Sequence, residues 1–144
     1  MKQKILLVSG AAVYKQGRGR NLWFVVKNKD DGWELPKTTA RRGESSVRAA
    51  IRLMGEQGGM TAKVLEEVGR SGGATMVNGK PISQRYLFYL LFTKLPNEVL
   101  GFEDFLWLDY ARAIRKLTAK RDITMLRTAH DMLKEIEKKK KKKQ

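Results

Sequence analysis

The segment from residue 33 to residue 60, WELPKTTARRGESSVRAAIRLMGEQGGM, constrains the fold most strongly because it predicts one helix between two loops. Ser45 or Ser46 is a suitable N-cap, and Gly58–Gly59 is a suitable end. We therefore expect a helix from Ser45 to about Gln57. Its apolar residues recur at helical spacing and predict one buried stripe, formed by Val47, Ala50, Ile51 and Met54.

Strand patterns lie on both sides of this helix. Strands are predicted at residues 4–15, 22–28, 61–70 and 84–95, and the last is the most continuous apolar run and therefore an interior strand. Tight turns are expected at Ser71–Gly73 and Asn78–Gly79. A short strand then leads into a helix starting near Asp109, and a last amphipathic helix has apolar residues near helical spacing at Ile123, Leu126, Ala129 and Leu133. This alternation predicts one mixed α/β domain over residues 1–137.

The charge of the chain favours anionic partners. The 144 residues carry a formal net charge of +15, and residues 138–143 are all lysine. We expect residues 138–144 to form a disordered polylysine tail that helps to bind RNA, DNA or ribosomes; a nuclear signal is the alternative if the source is eukaryotic.

No segment approaches membrane-spanning length, so membrane insertion is not expected. The absence of cysteine excludes disulfides and is compatible with the cytoplasm or another reducing compartment.

Specific residues between 33 and 60 occur at a recognisable spacing. The chain reads WELPK, then Glu44, Arg52 eight positions later, Glu56, and finally Gly59 with Met60. This spacing resembles the box of the Nudix superfamily, G-x5-E-x7-R-E-U-x-E-E-x-G-U, in which U is apolar. The resemblance covers roughly residues 5–133. It implies an α/β/α sandwich with a mixed sheet between helices, and hydrolysis of pyrophosphate linkages with Mg²⁺ or Mn²⁺.

The metal-binding part of the box departs from the family pattern. Thr38 occupies the first glycine position, and Leu53 and Gln57 occupy two of the three glutamate positions. The resemblance therefore leaves Glu56 as the metal ligand and as the catalytic residue if the chain is active. Gln57 and the Thr38 backbone would be weak ligands, so we expect at most a weak Mg²⁺ or Mn²⁺ site.

The scaffold part of the box is retained. By analogy with the family, Glu44 and Arg52 are expected to pair and to hold the loop against the helix, and Gly59 closes the box. Basic residues in this segment would bind phosphate in place of part of the missing metal charge, although a solvated basic loop is the alternative. These residues are Lys37, Arg41, Arg42 and Arg48.

A few residues outside the box have both a functional and a structural interpretation. Glu103 or Asp104 would supply the late-loop acid that joins the metal site in the family, whereas a solvent-facing turn is the alternative. His130 is expected to be a surface or half-buried helix residue. Trp33 or Tyr86 could stack on a base, whereas core packing is the alternative. Arg18 and Arg20 could contact phosphates.

The leading hypothesis is a Nudix-type domain that binds a nucleoside di- or polyphosphate, or a phosphorylated RNA end, with weak or no hydrolysis. The first alternative is an active Mg²⁺-dependent hydrolase of a pyrophosphate substrate. The second is a non-catalytic nucleic-acid-binding module.

Overall fold

A mixed β-sheet forms the centre of the molecule in the computed structural model, which describes residues 5–94, 99 and 101–142. Its strand order is β3-β2-β1-β6-β5, with β4 paired to β1 and β7 paired to β2. Strands β1 and β6 run parallel, and the other pairs are antiparallel. The strands are β1 Ile5–Gln16, β2 Asn21–Lys27, β3 Trp33–Glu34, β4 Lys37–Thr39, β5 Ala62–Val77, β6 Lys80–Thr93 and β7 Phe105–Leu108. The helices are α1 Ser46–Glu56, α2 Tyr110–Lys116 and α3 Lys120–Lys142.

The sheet separates two hydrophobic cores, so the expected α/β/α sandwich is confirmed. Successive side chains of a strand point to opposite faces. Ala11 and Val13 accordingly pack with α1, whereas Ala12 and Tyr14 pack with α2 and α3. Burial of both faces accounts for the nearly continuous apolar sequence of β1 and of the second half of β6.

Helix α1 begins and ends as expected, but its buried stripe is rotated. Ser45 caps the helix by accepting a hydrogen bond from the Arg48 N–H, and Gly59 has a positive φ of 60° after the helix end. Ile51 is 45% exposed, whereas Leu53 is 1% exposed. The prediction for Ile51 was therefore wrong. The helix turns Leu53 towards the apolar sheet face, and its fully buried residues are Ala49, Ala50, Leu53 and Met54.

A long hairpin replaces one of the predicted turns. Residues 71–73 continue β5, where Ser71 pairs with Tyr86 and Gly73 with Gln84, so the turn predicted there was wrong. The ladder to β6 keeps this glycine-containing segment extended. The Asn78–Gly79 turn is confirmed, since both residues have positive φ as a tight hairpin turn requires. Strand β6 is an interior strand, as predicted, and the end predicted for it at residue 95 lies outside the described residues.

Helix α3 is longer than the sequence predicted. It continues through Lys142, so residues 138–142 are helical in the structure. Lysine is a good helix former, and cations near a helix C-terminus interact favourably with the helix dipole. The last two residues of the predicted tail, 143 and 144, lie outside the described part of the chain. Within that part, no helix has the length and apolar character needed to cross a membrane.

Candidate functional site

A carboxylate–guanidinium pair holds the loop before α1 against the helix. Arg52 Nε donates to Glu44 Oε2 at 2.8 Å, and Arg52 Nη2 donates to Glu44 Oε1 at 2.9 Å. The Arg41 N–H donates to the same carboxylate at 2.9 Å. These hydrogen bonds, first of all those from Arg52, lower the pKa of Glu44 from 4.5 to about 2. The Glu44–Arg52 pair expected by analogy with the family is present, and its geometry is bidentate.

Glu56 lies beside two arginines. Its Oε2 is 3.6 Å from Arg41 Nη2 and 3.9 Å from Arg52 Nη1, while its side chain is 57% exposed. A metal ion at Glu56 would therefore meet two guanidinium groups already paired with the same carboxylate. The structure places two guanidinium groups and two carboxylates, those of Glu44 and Glu56, where the resemblance implied a metal cluster.

The other two glutamate positions of the family provide no further carboxylate. Leu53 is buried in the core on the α1 face of the sheet. Gln57 lies at the C-cap of α1, and its backbone carbonyl accepts a hydrogen bond from the Gly101 N–H at 2.9 Å. Within residues 5–94 and 101–142, no group of three or more Asp, Glu, His or Cys residues could hold a metal ion. The described residues therefore do not fit the multi-carboxylate metal centre of the family.

The late loop with the two candidate acids contacts the end of α1. Gly101 lies so close to Gln57 that an added Cβ would be 2.5 Å from the Gln57 Cα. Glu103 and Asp104 follow in the same loop and are both exposed. The Asp104 carbonyl accepts a hydrogen bond from the Lys27 N–H at 3.0 Å. The fold thus brings this loop to the C-terminal end of α1, although the two acids form no metal-binding group with Glu56.

The four proposed phosphate ligands of the box differ in their surroundings. Arg41, Arg42 and Arg48 are exposed around the loop and the first turn of α1. Lys37 instead points inward. Its Nζ lies 2.6 Å from Asp122 Oδ2, 3.1 Å from the Leu35 carbonyl and 3.3 Å from Glu34 Oε2. Because an ammonium group has three donors, these oxygens satisfy Lys37, and we leave it out of the phosphate-binding set.

A pocket of about 420 Å³, here called the α1 pocket, opens beside the start of α1. No sequence pattern predicted this pocket. Its shape depends partly on Gly72, which lies opposite Arg85 in the β5–β6 ladder and contributes no side chain. A glycine within a strand often marks a close approach by a ligand, which is the one signal the sequence offered. The lining residues are Leu7, Ser46, Arg70, Ser71, Gly72, Arg85, Tyr86 and Leu87.

Aromatic candidates from the sequence are engaged in internal contacts. The Arg121 guanidinium lies 3.8 Å from the Tyr86 ring centroid, and Lys116 Nζ lies 5.1 Å from the Trp33 ring. His130 is half-buried and stacks on Tyr110 at 3.6 Å. Burial lowers the pKa of His130. These contacts favour packing roles for Tyr86, Trp33 and His130.

The arginines of the first hairpin turn also differ from one another. Arg20 pairs with Asp109 at 3.1 Å, whereas Arg18 is exposed. The ion pair with the N-cap residue of α2 gives Arg20 a structural contact in addition to any phosphate contact.

The same fold is found in several solved structures. Ap4A hydrolase of C. elegans has a TM-score of 0.70 at 22% identity, covering 90% of this chain and 99% of that one. The Nudix domain of Shewanella oneidensis NrtR, complexed with ADP ribose, has a TM-score of 0.74 at 14% identity, covering 92% and 90%. The E. coli dihydroneopterin triphosphate pyrophosphohydrolase has a TM-score of 0.68 at 14% identity, covering 83% and 91%.

Comparisons of the sequence with protein families and with curated proteins found no match. The structural similarity shows that this chain has the Nudix fold.

Proposed function

We propose that this protein binds a nucleoside di- or polyphosphate, or the phosphorylated end of an RNA, with weak or no hydrolysis. The observation that carries the proposal is the environment of Glu56. Two arginines flank this carboxylate, and the neighbouring box position, Leu53, is buried in the core.

The chemistry of the box favours phosphate binding over phosphate cleavage. In metal-assisted hydrolysis, the metal polarises phosphorus and generates a nucleophile from bound water. A guanidinium group supplies positive charge and bidentate hydrogen bonds, but it does not activate water in this way. Arg41, Arg42 and Arg48 therefore support the binding part of the family's activity without its metal-dependent step.

The α1 pocket supports a ligand with an apolar part and an anionic part. Leu7 and Leu87 offer apolar surface, while Arg70 and Arg85 carry positive charge at the rim. Its volume of about 420 Å³ lies within the range of small-molecule sites. Ser46, which lines this pocket, comes two residues after Glu44 of the box loop. One ligand would thus place its nucleoside in the pocket and its phosphates towards the loop.

The names of the structural neighbours support the same ligand class. One is a hydrolase of Ap4A, one is complexed with ADP ribose, and one is a pyrophosphohydrolase of a triphosphate. All three compounds join a phosphate chain to a larger organic group. We carry over that shared chemistry and not any one compound.

Binding is tested with a panel of nucleoside mono-, di- and triphosphates, dinucleoside polyphosphates and 5′-triphosphorylated RNA. Titrations with and without Mg²⁺ or Mn²⁺ are expected to find tighter binding as the phosphate chain lengthens, with little need for metal. Arg41→Gln and Arg85→Gln should each weaken binding, whereas Arg115→Gln on α2 removes an exposed cation from the opposite side of the sheet and should not. Equal weakening by all three variants would show a general charge effect and contradict the proposed site.

An active hydrolase remains the second candidate because one observation favours it. The loop with Glu103 and Asp104 contacts the end of α1 through the Gly101–Gln57 hydrogen bond, close in sequence to Glu56. Metal-dependent product formation that is lost in Glu56→Gln would support this candidate over the first.

A further inference from the structure

The solvent-facing side of α3 carries a line of basic residues, here called the basic stripe. Residues spaced by three, four or seven positions share one side of a helix. The members of the stripe are all exposed, and they are Lys120, Arg127, Lys134, Lys138 and Lys141. The opposite side of α3 is buried against the sheet through Met125, Leu126, Ala129 and Leu133. The helix thus keeps its apolar side for the core and presents charge to solvent.

The basic stripe is long and mostly without ion pairs. From its first to its last member it spans roughly 31 Å at about 1.5 Å per residue. Within the described residues, Lys138 has an ion pair with Glu135 at 3.8 Å, and the other four members have none within 4.0 Å. Residues 110–142 contain twelve Lys or Arg and four Asp or Glu, so the positive charge extends over α2 and α3 together. Such a surface favours an extended polyanion as its partner.

We propose that the basic stripe is a docking surface for the phosphate backbone of nucleic acid. A duplex presents one negative charge per roughly 1.7 Å of its axis, so roughly 31 Å of duplex offers many phosphates to five basic side chains. Contacts of lysine and arginine with phosphate carry no sequence information, and binding through the stripe is therefore expected to be independent of sequence. The stripe lies on the opposite side of the sheet from the α1 pocket, so the two sites are separate and this inference does not depend on the proposed nucleotide ligand.

The composition of the exposed surface favours nucleic acid over a lipid membrane. A helix that lies on a membrane inserts an apolar face at the headgroup boundary. The apolar face of α3 is already covered by the sheet, and the large exposed apolar residues in the described structure all lie on other elements. The stripe would therefore bind a membrane through charge attraction alone. A nucleic acid, in contrast, offers charges at a regular spacing along the full stripe.

The test compares two triple variants that remove the same charge. Lys134→Gln/Lys138→Gln/Lys141→Gln changes the basic stripe. Lys29→Gln/Lys63→Gln/Lys80→Gln changes three exposed lysines elsewhere. Binding of a labelled DNA duplex to the full chain is measured by fluorescence anisotropy across a range of salt concentrations, with an RNA duplex and anionic phospholipid vesicles as further arms. The slope of log affinity against log salt is expected to fall by about 2 to 3 for the stripe variant, and by much less for the control.

Three results would overturn the proposal. Equal losses in the two triple variants would mean that net charge, and not the stripe, determines binding. An unchanged slope in the stripe variant would place the contacts elsewhere. Tighter binding to vesicles than to either duplex at the same salt concentration would assign the surface to membranes. Nucleotide binding in the α1 pocket should be unchanged in the stripe variant, which separates failure of this proposal from failure of the proposed function.

Discussion

In the proposed binding mode, Glu56 and the phosphate of the ligand compete for Arg41. Arg41 lies 3.6 Å from the Glu56 carboxylate, and both side chains are more than half exposed. Exposed ion pairs of this kind are individually weak. We therefore expect Glu56→Gln to tighten binding of a nucleoside polyphosphate by roughly two- to fivefold in the absence of divalent metal. Isothermal titration measures the change, with Glu103→Gln as the matched control. Weaker binding in Glu56→Gln would identify Glu56 as a ligand-supporting group.

The Glu44–Arg52 pair makes a pH-dependent contribution to stability. The pKa of Glu44 is lowered from 4.5 to about 2 in the folded protein, so the folded state favours the ionised carboxylate. This stabilisation is present above the unfolded value of 4.5 and is lost as pH falls towards about 2.

Glu44→Gln should therefore lower the free energy of unfolding at neutral pH. The difference from the unmodified protein should shrink as pH decreases through that window. Urea unfolding at several pH values measures both quantities. A difference that stays constant down to pH 2 would mean that the ionised carboxylate is not the stabilising form.

Leu53 shows why the acid set of the family cannot be restored by a simple exchange. Completing the set requires Leu53→Glu together with Gln57→Glu, but Leu53 is 1% exposed among apolar neighbours. A carboxylate there would be buried without a partner. We expect Leu53→Glu to lower the free energy of unfolding by about 3 kcal/mol or more. Ile51→Glu, at a site that is 45% exposed on the same helix, should cost far less. Similar values for the two variants in urea unfolding would contradict the orientation of α1.

At the scale of elements, an ion pair between Lys37 and the buried Asp122 joins β4 to α3. Asp122 is fully buried, and its Oδ2 accepts hydrogen bonds from Lys37 Nζ at 2.6 Å and from the Leu35 N–H at 3.0 Å. Removing Asp122 leaves the part-buried Lys37 ammonium with Glu34 as its one carboxylate partner among the described residues, and it leaves the Leu35 N–H without this acceptor. Asp122→Ala should therefore lower the free energy of unfolding by about 3 kcal/mol.

The matched control for this prediction is Asp131→Ala, which removes an exposed carboxylate from the same helix. We expect it to change stability by about 0.5 kcal/mol or less. Chemical unfolding of Asp122→Ala, of Lys37→Met and of the double variant measures the coupling. Additive effects of the two substitutions would show that the pair is not an energetic unit.

The sequence predicted elements whose signals are local and missed features that depend on neighbouring strands. Ser45 as a cap, the Asn78–Gly79 turn and the helix starting after Asp109 follow from the chemistry of a few adjacent residues. The segment 71–73 looks like a turn by itself, but its pairing with β6 keeps it extended. The α1 pocket was missed for the same reason, because β1, β5, β6 and α1 all contribute to it.

The candidate site was predictable to the extent that its residues belong to one motif. The Glu44–Arg52 pair was expected by analogy with the family, and it is present with two hydrogen bonds. The contacts of Lys37 and Leu53 do not follow from spacing, because each depends on which side of its element meets a core or a distant helix. The basic character of the segment suggested phosphate binding by Lys37, and the resemblance to the family treated Leu53 as a lost ligand. In the structure, Lys37 forms an ion pair with Asp122, and Leu53 is buried in the hydrophobic core.

At the scale of the whole molecule, the described surfaces divide between the two sides of the sheet. The side with α1 carries the box, the α1 pocket and the arginines that we assign to phosphate. The other side carries α2, α3 and the basic stripe. The basic residues of both surfaces contribute to the net charge of +15, and each surface favours an anionic partner. The molecule thus combines a Nudix fold with exposed basic residues on both sides of the sheet and, within the described residues, without a carboxylate cluster.

The most direct test of the central claim measures binding and turnover on the same samples. The unmodified protein is incubated with each nucleotide that binds it, with Mg²⁺, with Mn²⁺ and with a chelator, and products are followed by ion-exchange chromatography. We predict saturable binding under all three conditions and little or no product under any of them. Rapid metal-dependent release of phosphate or nucleoside monophosphate, abolished by Glu56→Gln, would contradict the account and establish a hydrolase with an altered metal site.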